Sequence, residues 1–326
     1  MHQPAEIERE TQAAIVLSLA ENYQLQATLT RLPGENMNYL ACISSHRKYV
    51  VKIAADDQSE SFVEMEYLAL KHARKRLPGI RIPSIIENRF GNAETFLSTS
   101  DNSLKRLRLI EYLDGVSLEG IDISDNIRRN VGISLARFDQ AMKEFDHPAA
   151  HRNHRWDLTQ ARQHERAMEL VNDTQNAQLL GWAFACYKKI NTGKLKQVKW
   201  QFIHGDANPE NILMQDDQVI GLLDFGDSCH NPRICELAIC LPYLMMDQPD
   251  PLAAAKPVIE GYESISPLTE LELELLWPLV LGRIATTISV ATKRRQLDSN
   301  HPNWFVSEAR AWQLLGQLRD LPDFPL

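Results

Sequence analysis

One stretch past the middle of the chain constrains its fold more than any other. It reads Phe202-Ile-His204-Gly205-Asp206-Ala-Asn208-Pro209-Glu210-Asn211-Ile-Leu, then Gln218-Val-Ile-Gly-Leu-Leu223, then Asp224-Phe225-Gly226-Asp227. The apolar runs predict strands, the second completing a hairpin, and the residues between and after them are loop formers. Asp206 and Asn211 lie five residues apart on one loop, and Asp224 follows eighteen residues after Asp206. A hairpin with this spacing gathers two carboxylates and an amide, the hard oxygen donors that a small divalent cation requires.

That order has a chemical reading. In phosphoryl transfer an aspartate accepts the proton of the acceptor hydroxyl, while an asparagine and the aspartate of Asp-Phe-Gly hold Mg²⁺. The alternative is two polar hairpin loops with chance Asp and Asn. It requires order, spacing and strand context all to coincide, and the catalytic reading is preferred.

At 326 residues the chain exceeds what one compact core usually serves, which predicts two lobes. Residues 5–22 read as a helix. Short strands follow at 25–32, 38–44 and 47–54, then a charged helix at 58–77 and strands near 84–90 and 105–113. Asp114-Gly115 reads as a hinge, so the expected division is 1–113 and 114–326. Beyond it, helices are expected at about 124–145, 157–173, 176–192, 234–246, 252–263, 269–293 and 304–319, interrupted by the Asp206 hairpin. Strands first and helices afterwards describe an α+β chain, with the default ligand site in a cleft between lobes.

The formal net charge of −8 argues against a nucleic-acid surface. Five scattered cysteines, with no Cys-x-x-Cys pair, suggest reduced thiols and a cytoplasmic setting. The N-terminal residues lack the basic-then-apolar plan of a signal peptide. The most apolar long stretch, Leu275 to Ala291, contains Arg283 and two threonines, and is expected to be a buried helix rather than a membrane span. Nothing in the sequence fixes an oligomeric state.

Further candidates surround the hairpin in this reading. Lys52, alone in the β-branched run Tyr49-Val-Val-Lys52-Ile, can reach nucleotide phosphates if it faces the cleft. Its acidic partner should come from the next helix. Glu64 and Glu66 point opposite ways there, and Glu64 is chosen, with Leu68 and Lys71 on its face. Gly34 and Asn36 suit a phosphate-cradling turn, although a plain hairpin turn fits nearly as well. Glu111 and Leu113, at the last strand end of the small lobe, can offer backbone groups to a base. His204 reads as an orienting group, and Asp227 as a residue facing metal or substrate.

Together these motifs resemble the aminoglycoside phosphotransferase-like kinases, which share the protein-kinase fold. The likeness covers nearly the whole chain: Lys52, the acidic helix, Glu111-Tyr-Leu, His204-Gly-Asp206-x-Asn-Pro-x-Asn211 and Asp224-Phe-Gly-Asp. It implies a catalytic base at Asp206, Mg²⁺ ligands at Asn211 and Asp224, and a contact from Lys52 to the α/β-phosphates of ATP or GTP. Gly205 stands where protein kinases usually carry an arginine. About ten residues separate Asp227 from the next helix, too few for a peptide-docking activation loop. The expected acceptor is therefore a small alcohol.

Asp224-Phe-Gly-Asp-Ser228, Glu236-Leu-Ala-Ile, His151-Arg152…Trp156-Asp157-Leu158 and Gly282-Arg283-Ile-Ala-Thr-Thr-Ile-Ser289 look most like hydroxylysine kinases and their bacterial relatives. A zwitterionic acceptor would place its carboxylate on Arg283 and its ammonium near Asp227 or Asp247. Homoserine, choline and ethanolamine kinases, and aminoglycoside phosphotransferases, share parts of the pattern. A catalytically dead nucleotide-binding scaffold would be expected to lack a metal ligand or the base, and this chain keeps them all.

Overall fold

The structure is a computed structural model, and it describes residues 4–33, 37–54, 59–98, 104–190, 192–298, 305 and 307–321. The chain divides into two compact units, Met1–Lys71 with Pro83–Asp114, and His72–Ile82 with Gly115–Leu326. Residues 72–82, expected with the first lobe, pack with the second. His72 Nε2 lies 3.0 Å from the Ala141 carbonyl, and Arg81 bridges to Gly221. Gly34 and Asn36 fall outside the described residues.

In the first unit, α1 (Pro4–Tyr23) precedes β1 (Thr28–Arg31), β2 (Met37–Ser44) and β3 (Arg47–Ile53). Then come α2 (Glu60–Arg76), β4 (Ile85–Ile86), β5 (Thr95–Ser98) and β6 (Leu104–Glu111). The strands form one antiparallel sheet in the order β1-β2-β3-β6-β4, with β5 also on β6. One face carries the core, where Tyr39, Ala41, Val51, Leu107 and Leu109 pack under Ile15 and Leu19 of α1. Period-two alternation sets this face. The opposite face holds Lys52 and Arg108, directly paired across β3 and β6.

Glu64 and Glu66 do face different ways on α2. The inward stripe of α2 runs through Phe62, Met65, Glu66, Ala69 and Ala73, which are almost fully buried, whereas Glu64 is exposed. Helical spacing puts Glu66 on that stripe and turns Glu64 away. Glu66 is ion-paired with Arg108, the cross-strand neighbour of Lys52.

The second unit begins with β7 (Val116–Ser117) and α3 (Asp125–Met142), then α4 (Thr174–Tyr187), the single-turn α5 (Thr192–Leu195) and β8 (Trp200–Ile203). β9 (Ile212–Gln215), β10 (Gln218–Leu222) and β11 (Cys229–Pro232) follow, and then α6 (Ile234–Met245), α7 (Pro251–Glu263), α8 (Glu270–Arg295) and α9 (Glu308–Asp320). The helix expected at 157–173 is instead a 3₁₀ run, Leu158–Leu170, with non-helical backbone at Gln160. Asp157 starts it, its carboxylate accepting from Thr159 and from Asn231 of β11.

β9 and β10 form the expected hairpin, turning at Asp216 and Asp217, both with positive φ. Two successive left-handed residues describe the turn that matches strand twist. Beside it, β8 pairs with β11, and β7 adds to β9. α8 is a core helix: its Thr269–Glu272 capping box fixes the start, and 89% of its most apolar window is buried.

Candidate active site

β8 is buried from Gln201 to Ile203 and delivers the chain to His204, which is fully buried. The His204 ring sits edge-on to Phe138 and Phe225, 5.8 and 4.9 Å between centroids. The Asp206 N–H donates to its Nδ1 at 3.3 Å, so Nε2 carries the proton and donates to the Leu223 carbonyl at 2.8 Å. One imidazole thereby ties the Asp206 loop to the residue preceding Asp224. Its role is orientation.

Gly205 lies at φ +79°, and a Cβ there would collide with the Asp227 carbonyl. This close approach accounts for glycine where an arginine was the comparison. The His204 N–H donates to Glu236 Oε2 at 2.5 Å, and the Gly205 N–H donates to the same carboxyl group. Burial pushes the Glu236 carboxyl well above its usual range, and Asp139 adds to this. Glu236 therefore anchors the loop from below.

Asp206 is held on three sides. Oδ2 accepts from Asn208 Nδ2 and Asn211 Nδ2, each at 3.0 Å, and Oδ1 accepts from Arg283 Nη2 at 3.1 Å. Asn211 also donates to the Asp206 carbonyl at 2.9 Å. The amide nitrogen of Asn211 is thus turned toward Asp206, leaving its carbonyl oxygen as the donor atom for a cation. Asp206 keeps 22% of its side chain accessible. Burial raises its carboxyl pKa, Arg283 opposes the rise, and Asp227 adds to it. A base poised this way is what proton transfer near neutral pH favours.

Asp224 adopts φ +55°, and its Oδ1 accepts from the Gly226 N–H at 3.1 Å. Arg152 Nη2 donates to the Gly226 carbonyl at 2.8 Å. Asp227 follows, with His154 Nδ1 3.5 Å from its Oδ1. The structure thus brings Asp206, Asn211, Asp224 and Asp227 together on adjoining loops.

Arg283, from the middle of α8, completes the arrangement. Its side chain is 3% exposed, lies over the Trp156 ring at 4.8 Å and donates from Nη2 to the Tyr243 hydroxyl at 2.9 Å. Nε and Nη1 are buried without a hydrogen-bond partner. Asp247 does not join this cluster. It sits in a left-handed turn after α6, and Arg310 Nε binds its Oδ2 at 2.6 Å in an exposed pair. Trp156, Tyr243, His154 and the anchoring role of Glu236 escaped the sequence reading as site residues. Their signal was the paired motifs around Trp156 and Glu236, with no spacing of their own to the hairpin.

In the first unit, Lys52 is half-buried on β3. The Glu111 N–H donates to the Ser84 carbonyl, while its carboxylate accepts from the Ser84 N–H and hydroxyl. Leu113 is buried.

With this geometry established, the comparisons are direct. The family model described as "Phosphotransferase enzyme family" matches residues 28–271. Hydroxylysine kinase of Mus musculus is 27% identical over 293 residues, spanning 84% of this chain and 77% of that protein. The Danio rerio hydroxylysine kinase is 26% identical over 283 residues, 82% and 80% of the two chains. The solved microcompartment-associated aminopropanol kinase superposes with a TM-score of 0.72 at 17% identity, over 93% of each chain. The fold is the α+β, protein-kinase-like one. The chain belongs to the phosphotransferase enzyme family and is a phosphotransferase acting on small-molecule hydroxyl groups.

Proposed function

We propose that this member of the phosphotransferase enzyme family transfers the γ-phosphoryl group of ATP or GTP to the hydroxyl of a hydroxy amino acid or amino alcohol, with 5-hydroxylysine as the best candidate. The observation that carries this reading is Arg283. An almost fully buried guanidinium beside the base, with Nε and Nη1 unpartnered, asks for an anion, and a substrate carboxylate would supply an acceptor for it. Trp156 and Tyr243 shield that position from water and keep the guanidinium in plane. Asp227 offers a carboxylate for the substrate ammonium. Hydroxylysine, rather than homoserine or choline, is favoured by the hydroxylysine kinases matching most of this chain.

Asp206 orients the acceptor hydroxyl and takes its proton as the oxygen attacks the γ-phosphorus. The bond from phosphorus to the bridging oxygen breaks, and the nucleoside diphosphate leaves. Asn211 and Asp224 present an amide carbonyl and a carboxylate, hard donors that fit Mg²⁺, which would neutralise phosphate charge when bound. Lys52 takes the α/β-phosphates, steadied by the buried Glu66–Arg108 pair beside it. Glu111 and Leu113 present backbone groups to the base.

The test is a coupled nucleotide-hydrolysis assay with Mg²⁺, ATP or GTP, and a panel of 5-hydroxylysine, homoserine, choline, ethanolamine and kanamycin. Turnover with 5-hydroxylysine, reduced at least a hundredfold in Asp206→Asn, is expected. Selective turnover of choline or kanamycin would overturn the substrate assignment. Unchanged turnover in Asp206→Asn would overturn the assignment of the base.

A further inference from the structure

A second cluster of ligating side chains lies outside the phosphoryl-transfer residues. Asp146 and His151 flank the 3₁₀ turn Pro148–Ala150 beyond α3, and His230 comes from β11. One ligand atom from each lies within 4.8 Å of the others. His151 Nε2 is 2.7 Å from Asp146 Oδ1, and the His151 and His230 rings are stacked, 4.3 Å between centroids. None of the three touches Asp206, Asn211, Asp224 or Arg283 through a recorded hydrogen bond or ion pair.

The geometry points to a site for a borderline divalent transition metal of the Zn²⁺ class, held by His151, His230 and Asp146. Two imidazoles and one carboxylate are the donor set that such ions select over Mg²⁺ or Ca²⁺. Two ligand atoms each bound about 2.0–2.1 Å from one metal stand roughly 3.3 Å apart at the tetrahedral angle, so the Asp146 and His151 atoms, 2.7 Å apart in their hydrogen bond, have only a short way to part. Three protein donors leave a fourth position for water, in keeping with the exposure of Asp146 and His151.

The backbone around the cluster is fixed before any ion arrives. Asp146 Oδ1 accepts from the His147 N–H at 2.9 Å, and His147 caps the 3₁₀ turn that carries His151. His230 is in register with Phe202 on β8, and Trp200 stacks on its outer side. Closing the site needs the His151 ring to turn out of the stack and to exchange its hydrogen bond with Asp146 for the metal. His151 is about half exposed and free to do so. A metal there would clip the loop after α3 to β11, the strand that follows Asp227.

The experiment uses the full chain, free of any affinity tag and stripped with chelator. Zn²⁺ binding is measured by equilibrium dialysis with elemental analysis, and Co²⁺ binding by its visible absorption. One equivalent is expected in the wild type, with a Zn²⁺-dependent rise in Tm that Mg²⁺ does not reproduce. His151→Ala and Asp146→Asn, both at exposed positions, should weaken binding at least tenfold, and His230→Ala should abolish the Co²⁺ spectrum. His46→Ala, on a turn of the first unit, should change nothing. No stoichiometric ion in the wild type, or equal binding in His151→Ala and His230→Ala, would overturn the site and leave adventitious surface binding. Because the readout is metal content, failure of the kinase assay would not affect it.

Discussion

At the scale of single residues, the pairing of Arg283 with Asp206 sets two demands on one guanidinium. It lowers the pKa of the Asp206 carboxyl, and it keeps two further N–H groups unpartnered, the groups proposed above to meet a substrate carboxylate. Arg283→Met keeps much of the volume and removes both functions. Losing the first should slow every acceptor, while losing the second should slow only acceptors that carry a carboxylate. The expected result is a kcat/KM for 5-hydroxylysine that falls about 10–100-fold further than that for ethanolamine, equivalent to about 1.5–3 kcal/mol for hydrogen bonds to a charged group. Steady-state kinetics on both acceptors would decide it, and equal losses would remove Arg283 from acceptor recognition. The sequence led to Arg283 through its motif, and to Asp206, Asn211 and Asp224 through their spacing. It could not reveal that Glu66 rather than Glu64 faces inward, because both choices satisfy a helical period. Only the stripe Phe62, Met65, Glu66, Ala69 decides between them, and that depends on which way α2 is turned. The fate of Asp247 was equally hidden, since its partner Arg310 lies 63 residues away.

At the scale of elements, α3 and α7 meet along a seam that depends on two glycines. A Cβ on Gly132 would overlap the Val258 carbonyl, and one on Gly261 would overlap the Arg129 carbonyl. Each glycine lowers the propensity of its own helix by about 1 kcal/mol relative to alanine. The close backbone approach is what they permit in return. Alanine at either position should therefore destabilise the second unit by about 1–3 kcal/mol despite the better helix former, since the clash is with backbone rather than a side chain that can rotate away. Urea unfolding would show it as a lower midpoint at unchanged slope; a rise in midpoint would mean the helices can part without cost. The apolar period of α3 and α7 was readable from sequence, but which helix each would meet was not. The short strands were equally hidden. β7 and β11 span only two to four residues each and exist through their partners, and β5 is a four-residue strand paired with β6, whereas β4 lies within the strand expected near 84–90. The 3₁₀ run at Leu158–Leu170 was read as a helix because its apolar spacing is loose and its start, capped by Asp157, looks the same for both.

For the molecule as a whole, the second unit carries a load of buried charge beneath its Asp206 loop. Asp139, Glu236, Arg233 and Glu272 are all nearly inaccessible, with Tyr262 donating its hydroxyl to Asp139 Oδ2. Arg233 and Glu272 are a bidentate pair at 2.6 and 2.7 Å, and Glu272 sits below its usual pKa despite burial, chiefly because of that contact. Asp139 goes the other way: burial pushes its carboxyl up to about 7, against the hydrogen bond from Tyr262, and its Oδ1 has no partner. A carboxyl raised on folding binds its proton more tightly in the native state, so its contribution is complete below the unfolded value near 4. That contribution is lost as pH climbs to about 7. Asn at this position mimics the protonated acid without titrating. Asp139→Asn should match the wild type near pH 4.5 and become the more stable protein by pH 8, by a few kcal/mol at most. The described tryptophans, Trp156, Trp182, Trp200, Trp277 and Trp312, all lie in the second unit, so their fluorescence follows the unfolding of this unit. Parallel stability curves for the two proteins from pH 4.5 to 8 would mean that Asp139 ionises in the folded state as easily as in the unfolded one, held by Arg233 and Lys199. Convergence at low pH with divergence above it would assign the alkaline loss of stability to one buried proton under the active-site loop.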